Sequence, residues 1–346
     1  MFEKEKMLLA EHLSLMLKGG IPLNEALETI RNDARSKSFK RSINDVLNKV
    51  LEGENLNKAL ARHPQIFDRF FQNIIRIGEE SGTLDENLKY LSLKLRQDDE
   101  MNKKIKGAFL YPTIVIALAT AIAILMAVFV LPKITEPLKI LKIELPLATR
   151  ILVAAVSFIK TYWLFILIII FLAVLLIRIL QRIKTIRFYL DKVSLSLPLF
   201  GKISKNFNLS FFSRTFYILL KSGVPLSIAL EIISETLPNA VYRHHLIKIK
   251  EKVETGAKIS QSLKDFSDFF PAIFSEMILV GEKAGSLEDS LLYLCEHYER
   301  EVDSTLKNFT AVLEPMLIIF IGFFAGFTAI AIISPMYKLI RQLQLR

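Results

Sequence analysis

The sequence predicts an all-α integral membrane protein: two homologous antiparallel helical-bundle domains in the cytosol, joined to three transmembrane helices. Three observations carry that prediction. The last part of the chain repeats the first without a gap. Leu17-Lys18-Gly19-Gly20-Ile21-Pro22-Leu23 returns as Leu220-Lys221-Ser222-Gly223-Val224-Pro225-Leu226, and Pro112 and Pro132 fall on Pro315 and Pro335. The 346 residues are 52% hydrophobic and still 23% charged, which suits polar domains tied to apolar spans. Alternating strand patterns are scarce, so helical spacing dominates.

The elements follow in order. Residues 1–107 form the first polar domain, a run of short amphipathic helices. Met7–Lys18 has apolar residues at helical spacing, and Gly19-Gly20 stop it, since glycine tolerates the left-handed conformation that closes a helix. Pro22 then suits the first turn of the next helix, where its missing N–H costs nothing. Gly223 and Pro225 do the same in the second copy. Gly82-Thr83-Leu84-Asp85-Glu86 reads as helix stop, N-cap and first turn, with Thr83 and Glu86 as a capping box and Ser286 with Asp289 as its counterpart. Such turns fold successive helices back on one another into a bundle.

A span needs roughly 20 mostly apolar residues. Residues 108–131 supply them with no charge, and residues 311–333 with one carboxylate, Glu314. Between them, residues 162–180 open on Tyr162-Trp163, an interfacial aromatic pair, and are interrupted only by Arg178, which can snorkel to the headgroups. Residues 132–161 are then a short extracytoplasmic connector with an amphipathic helix, 181–310 the second polar domain and 334–346 an extracytoplasmic tail. Arg96, Lys103, Lys104 and Lys106 precede the first span, and Arg182, Lys184, Arg187 and Lys192 follow the second, which marks both flanks as cytoplasmic. The opposite side is not free of charge, with Lys133, Lys139, Lys142 and Arg150 in the connector and Lys338, Arg341 and Arg346 in the tail. Repetition supports the same topology, because two copies of one domain separated by two spans share a compartment. Met1 is expected in the cytosol and Arg346 outside. No signal peptide is visible, since Met1–Glu11 is highly charged and no apolar stretch follows it.

Gly78-Glu79, Gly82 and Gly281-Glu282, Gly285 are retained at equivalent places. Glu79 and Glu282 read either as contacts to a partner or as carboxylates that order their own hairpin. Glu314, beside Pro315 at the entrance of a span, reads as a headgroup-level structural carboxylate or as a gating and coupling group. Its counterpart is Tyr111, beside Pro112, so the repeat does not require the carboxylate. Gly322 and Gly326 form a GxxxG, and Ala119 and Ala123 occupy the matching places in the first span. Small residues on one face let helices approach closely in lipid, within a chain or between chains. The cluster Arg178, Arg182, Lys184 and Arg187 suits anionic lipid as well as topological anchoring.

Several function classes are disfavoured. The net charge of +10 sits largely beside apolar segments, which points to a membrane rather than to nucleic acid. The lone Cys295 allows no internal disulfide or cysteine zinc cage. No GxxxxGK[ST], HExxH or GxSxG occurs, and His12, His63, His244, His245 and His297 are scattered, so no catalytic, cofactor or metal site is expected. A small secondary transporter is the alternative reading. It would need a polar midplane site, which the first two spans lack.

The L-[LM]-K-[GS]-G-[IV]-P-L openings and the G-E-x-[AS]-G-[ST]-L-[DE] turns at Gly78–Asp85 and Gly281–Glu288 carry a resemblance. So do Tyr111-Pro112, Leu313-Glu314-Pro315 and Glu144-Leu145-Pro146. The chain resembles, over nearly its whole length, the PilC/GspF-like platform proteins of type IV pilus and type II secretion machines. Many members carry an additional N-terminal segment before the first repeat, whereas this sequence opens almost at the repeat. The resemblance implies a non-enzymatic platform in the cytoplasmic (inner) membrane, without cofactors and forming a dimer or higher homo-oligomer among membrane lipids. It would anchor a cytosolic hexameric assembly ATPase and couple it to extraction of pilin or pseudopilin subunits, alongside other inner-membrane assembly components.

Overall fold

The computed structural model describes residues 2–130, 132–133, 136, 146–180, 183–197 and 200–344. Met1, Leu131, Lys139, Lys142, Glu144, Leu145, Arg182 and Arg346 lie outside them, with residues 137–145 of the connector and the side chains of Lys184, Lys338 and Arg341. Among the described residues the chain is helical with no strand. In the first copy α1 is Glu3–Lys18, α2 Leu23–Asp33, α3 Lys37–Leu51, α4 Leu56–Ala61, α5 Arg69–Ser81 and α6 Leu84–Leu125, continued by a π-helical turn at Met126–Val130. Then come α7, Leu147–Leu180, and α8, Lys184–Ser196. The second copy repeats the first as α9 Phe200–Lys221, α10 Leu226–Thr236, α11 Ala240–Glu254, α12 Ile259–Lys264, α13 Ala272–Ala284 and α14 Leu287–Gln344.

Local chemistry explains where these helices begin and end. The Ser36 hydroxyl accepts the Phe39 N–H to start α3, and Asp68 accepts the Phe71 N–H to start α5. The Asn239 side chain takes the Val241 and Tyr242 N–H groups at α11. The glycines with positive φ fall at matched places in the two copies: Gly20 with Gly223, Gly53 with Gly256, and Gly82 with Gly285. Each lets the following N–H reach back to a carbonyl of the last turn, as Ile21 does to Met16 and Val224 to Leu219.

One compact unit comprises Met1–Lys104 and Arg187–Thr305, so both polar copies belong to it. A single apolar cluster runs through them, and its largest residues repeat position by position. Leu9, Leu13, Phe39, Phe67 and Phe71 in the first copy answer to Phe212, Phe216, Tyr242, Phe270 and Phe274 in the second, all fully buried. Polar contacts join the copies as well. Arg69 bonds Glu235, Lys104 lies 2.8 Å from Asp303, and the Lys94 ammonium stands 4.4 Å from the Phe211 ring centroid.

The other unit comprises Ile105–Ile186 and Leu306–Arg346. Among the described residues three helices, α6, α7 and α14, are long and apolar enough to cross a bilayer, and the apolar stretch of each is largely unburied by the protein itself. Helix α7 begins at Leu147, well ahead of the apolar run at Tyr162. Only Arg150 and Lys160 interrupt that earlier stretch, and nothing after Pro146 breaks the helix. Within this unit the buried Thr149 hydroxyl donates to the Ala331 carbonyl at 2.6 Å, tying α7 to α14. An apolar cavity of about 660 Å³ lies among α6, α7 and α14.

Candidate functional site

The retained turns are built alike in both copies. A Cβ on Gly78 would stand 2.9 Å from the Leu84 Cα, and one on Gly281 would stand 2.7 Å from the Ser290 Oγ and 3.0 Å from the Leu287 Cα. Glycine therefore lets α5 cross α6, and α13 cross α14, at backbone contact. Gly82 (φ 72°) and Gly285 (φ 69°) turn the chain through the left-handed region. The Thr83 N–H then donates to the Gly78 carbonyl at 2.9 Å, and that of Ser286 to the Gly281 carbonyl at 3.0 Å. This corrects the expected capping boxes. The N–H groups that Glu86 and Asp289 were to accept are already committed to the preceding helix.

Glu79 and Glu282 reach back to the short helices α4 and α12. The two Glu79 carboxylate oxygens accept the N–H groups of Leu56 (2.5 Å) and Asn57 (3.0 Å). Those of Glu282 accept Ile259 (2.7 Å) and Ser260 (3.2 Å), together with the Ser260 hydroxyl. A carboxylate is favoured there because the first N–H groups of a helix lack intrahelical partners and carry partial positive charge. Beside the first hairpin opens a cleft of about 440 Å³, edged by Leu23, Asn55, Arg76, Glu80 and Gly82.

A set of charged side chains lies in the same unit, where sequence reasoning did not look. Lys6, only 3% exposed, bonds Asp68 and Glu3, each at 3.1 Å. Burial alone would push the Lys6 ammonium down, but Asp68 and Glu3 raise it above the usual lysine value. Burial would likewise push Asp68 up, and Lys6, the Phe71 N–H and Lys94 hold it below the usual carboxylate range. Arg214, 5% exposed, pairs with Glu299 and with Asp98 at 3.4 Å. Glu299 and Arg214 occupy the places of Arg96 and Glu11, which pair at 2.5 Å with the signs exchanged. That exchange was the available signal, visible on aligning the copies.

The expected membrane residues part company. Ala119 and Ala123 line the apolar cavity opposite Phe320, Phe324 and Ala325 of α14. Gly322 and Gly326 are exposed, and a Cβ on either would meet nothing within 4 Å. Pro112 is buried within α6, whereas Glu314 and Pro315 are exposed on α14. Of the basic cluster, Arg178 is exposed, while Arg187 donates to the Pro238 carbonyl at 3.0 Å. His244 meets the Phe188 ring, and His245 packs on Phe266 and Phe269, where burial, then His244 and Lys248, push it down to about 4. Among the described residues no group of three or more His, Cys, Asp or Glu side chains is arranged to hold a metal.

Comparison with known proteins decides the family. Two segments, residues 9–132 and 212–335, each match the family described as type II secretion system (T2SS), protein F. The chain belongs to the type II secretion system protein F family. Its two matched segments are the two copies read from the sequence. Among similar proteins, the type IV pilus assembly protein PilC of Thermus thermophilus is 31% identical over 99% of this chain and 84% of its own length. PilC of Pseudomonas aeruginosa is 28% identical over 96% of this chain and 89% of its own. The type II secretion system protein F of Aeromonas hydrophila is 27% identical over 97% and 86%. The family and the three apolar helices together make this a multi-pass protein of the inner membrane.

Proposed function

We propose that this protein is the membrane platform of a type IV pilus or type II secretion assembly machine. It would anchor a cytosolic assembly ATPase and pass that motor's work to pilin-like subunits as they leave the bilayer. The observation that carries the reading is the family match in both copies, each pairing a polar bundle with an apolar helix. Two helices, α6 and α14, run without a break from polar into apolar sequence, which suits an element that transmits motion. The protein itself is proposed to be non-catalytic, with the energy entering through its partner. The polar copies face the cytosol and the C-terminus lies outside.

Because both oxygens of Glu79 and of Glu282 are engaged with helix N-termini, their proposed role is to order the hairpins. The cleft beside Gly78–Gly82 is the candidate docking surface. Deletion of the gene should abolish surface filaments or pseudopilus-dependent secretion, and the tagged protein should co-purify with a hexameric ATPase. Normal filaments and secretion in the deletion strain would refute the platform role. Gly322 and Gly326, open on α14, are proposed to meet a second copy of the chain, since small residues permit close helix approach in lipid. Replacing both with Leu should reduce the oligomer seen by cross-linking while membrane insertion persists. An unchanged oligomer would remove that contact.

A further inference from the structure

Helix α8 has two apolar faces, and among the described residues one is packed and the other exposed. On one side Leu195 is buried, Phe188 packs on His244 at 5.6 Å between ring centroids, and the Asp191 carboxylate accepts the Ala240 N–H at 2.7 Å. These contacts fix that side of α8 on α11. On the opposite side Tyr189 (63%), Leu190 (41%) and Val193 (59%) are exposed. At 3.6 residues per turn, positions 189, 190 and 193 fall in one arc, across the helix from 188, 191 and 195. Lys192 is exposed at the edge of the arc.

Chain continuity says what covers this face. Helix α7 ends at Leu180 and α8 starts at Lys184. The link between the two helices reaches no further than about 3.6 Å per residue, roughly 14 Å in all, so α8 starts in or just beyond the headgroup layer bordering the span. A helix that begins there, with an apolar arc outward and a cation at its edge, lies in the plane of the interface. We infer that α8 is an interfacial helix whose Tyr189–Val193 face is seated in the phospholipid surface where the second span ends. Its other face holds the polar unit through α11. The inference rests on membrane insertion of the three spans and not on the platform role.

The test uses the purified full chain in nanodiscs of phosphatidylcholine and phosphatidylglycerol. Single cysteines at Tyr189, Leu190, Lys192 and Val193 are labelled with an environment-sensitive fluorophore; the native Cys295 is buried and takes no label. Nitroxide-bearing lipid should remove most of the emission at 189, 190 and 193, with iodide reaching chiefly 192. Iodide quenching of 189 and 193 equal to that of 192 would place the face in water and overturn the inference. Exclusion of both quenchers from 189 and 193 would overturn it too, by assigning the face to a second copy of the chain.

Discussion

Arg214 shows how a single side chain joins the copies. It is almost wholly buried in α9, with Glu299 of its own copy and Asp98 of the other as partners. Replacing it with Met leaves the partly buried Glu299 without its cation, while Asp98 keeps Lys94 at 2.7 Å. The expected loss is about 3 kcal/mol of stability, read as a lower unfolding midpoint of the full chain in detergent. The exchanged signs of Glu11–Arg96 and Arg214–Glu299 also forbid mispairing. Were α1 to take the place of α9, Glu11 would face Glu299, and Arg214 meets α6 through Asp98 rather than through the like-charged Arg96. Asp68 gives the pH dependence. Its folded value is lowered, so on acidification the unfolded chain takes up the proton first and stability falls with pH. The difference between the parent and Asp68→Asn should therefore be constant above about pH 4 and shrink as pH drops through the lowered value. Half of the Asp68 side chain is open to solvent, so the difference is a screened one. A difference that stays constant down to the acid transition would refute the assignment.

The hairpin is the element that the repeat preserves, and its parts have separable roles. Gly281→Ala forces a Cβ against the Leu287 backbone and the Ser290 side chain, so α13 and α14 must move apart. Overpacking of this kind costs roughly 1–3 kcal/mol, seen as a lowered thermal midpoint of the polar unit. Glu79→Lys with Glu282→Lys removes the acceptors for α4 and α12 and places a cation at each helix N-terminus. Thermal stability should fall, and Glu79→Gln with Glu282→Gln should recover part of it, because an amide oxygen still accepts. Glu79 also lines the cleft proposed for docking, so the binding test uses Glu282→Lys alone, whose ATPase binding, measured below its melting range, should match the parent. Lost binding by that variant, fully folded, would return the carboxylate to the docking surface. The carboxylates were identifiable from their repetition, but their acceptor role was not, since Glu79 serves Leu56 and Asn57 in another helix.

At the scale of the whole molecule, the three spans set the sidedness. Reporter domains fused at the two ends should give opposite readings, cytosolic at the N-terminus and extracytoplasmic at the C-terminus. Identical readings would remove the three-span arrangement. The spans were readable because about 20 apolar residues with at most one charge have few other fates than a bilayer. The repeat was readable because glycines with φ above zero and prolines within helices are hard to replace, and so keep the copies in step. What the copies do together was not readable. Both were expected as bundles, and the shared apolar cluster joins them in one compact unit.

The sequence by itself determined the helical class, the duplication, the three apolar spans and the motifs that carry the family resemblance, because each is written in composition, periodicity or local turn chemistry. Only the tertiary structure decided which of two equivalent residues does what. Ala119 and Ala123 line an apolar cleft among the spans while the matching Gly322 and Gly326 meet nothing. One charge pair is the mirror of another, and α8 keeps an apolar face that no part of the polar unit covers. The physical reason is common to all three. A residue's neighbours along the chain fix its backbone, but its burial and its ion partner depend on elements far away in sequence, which the fold alone brings to it.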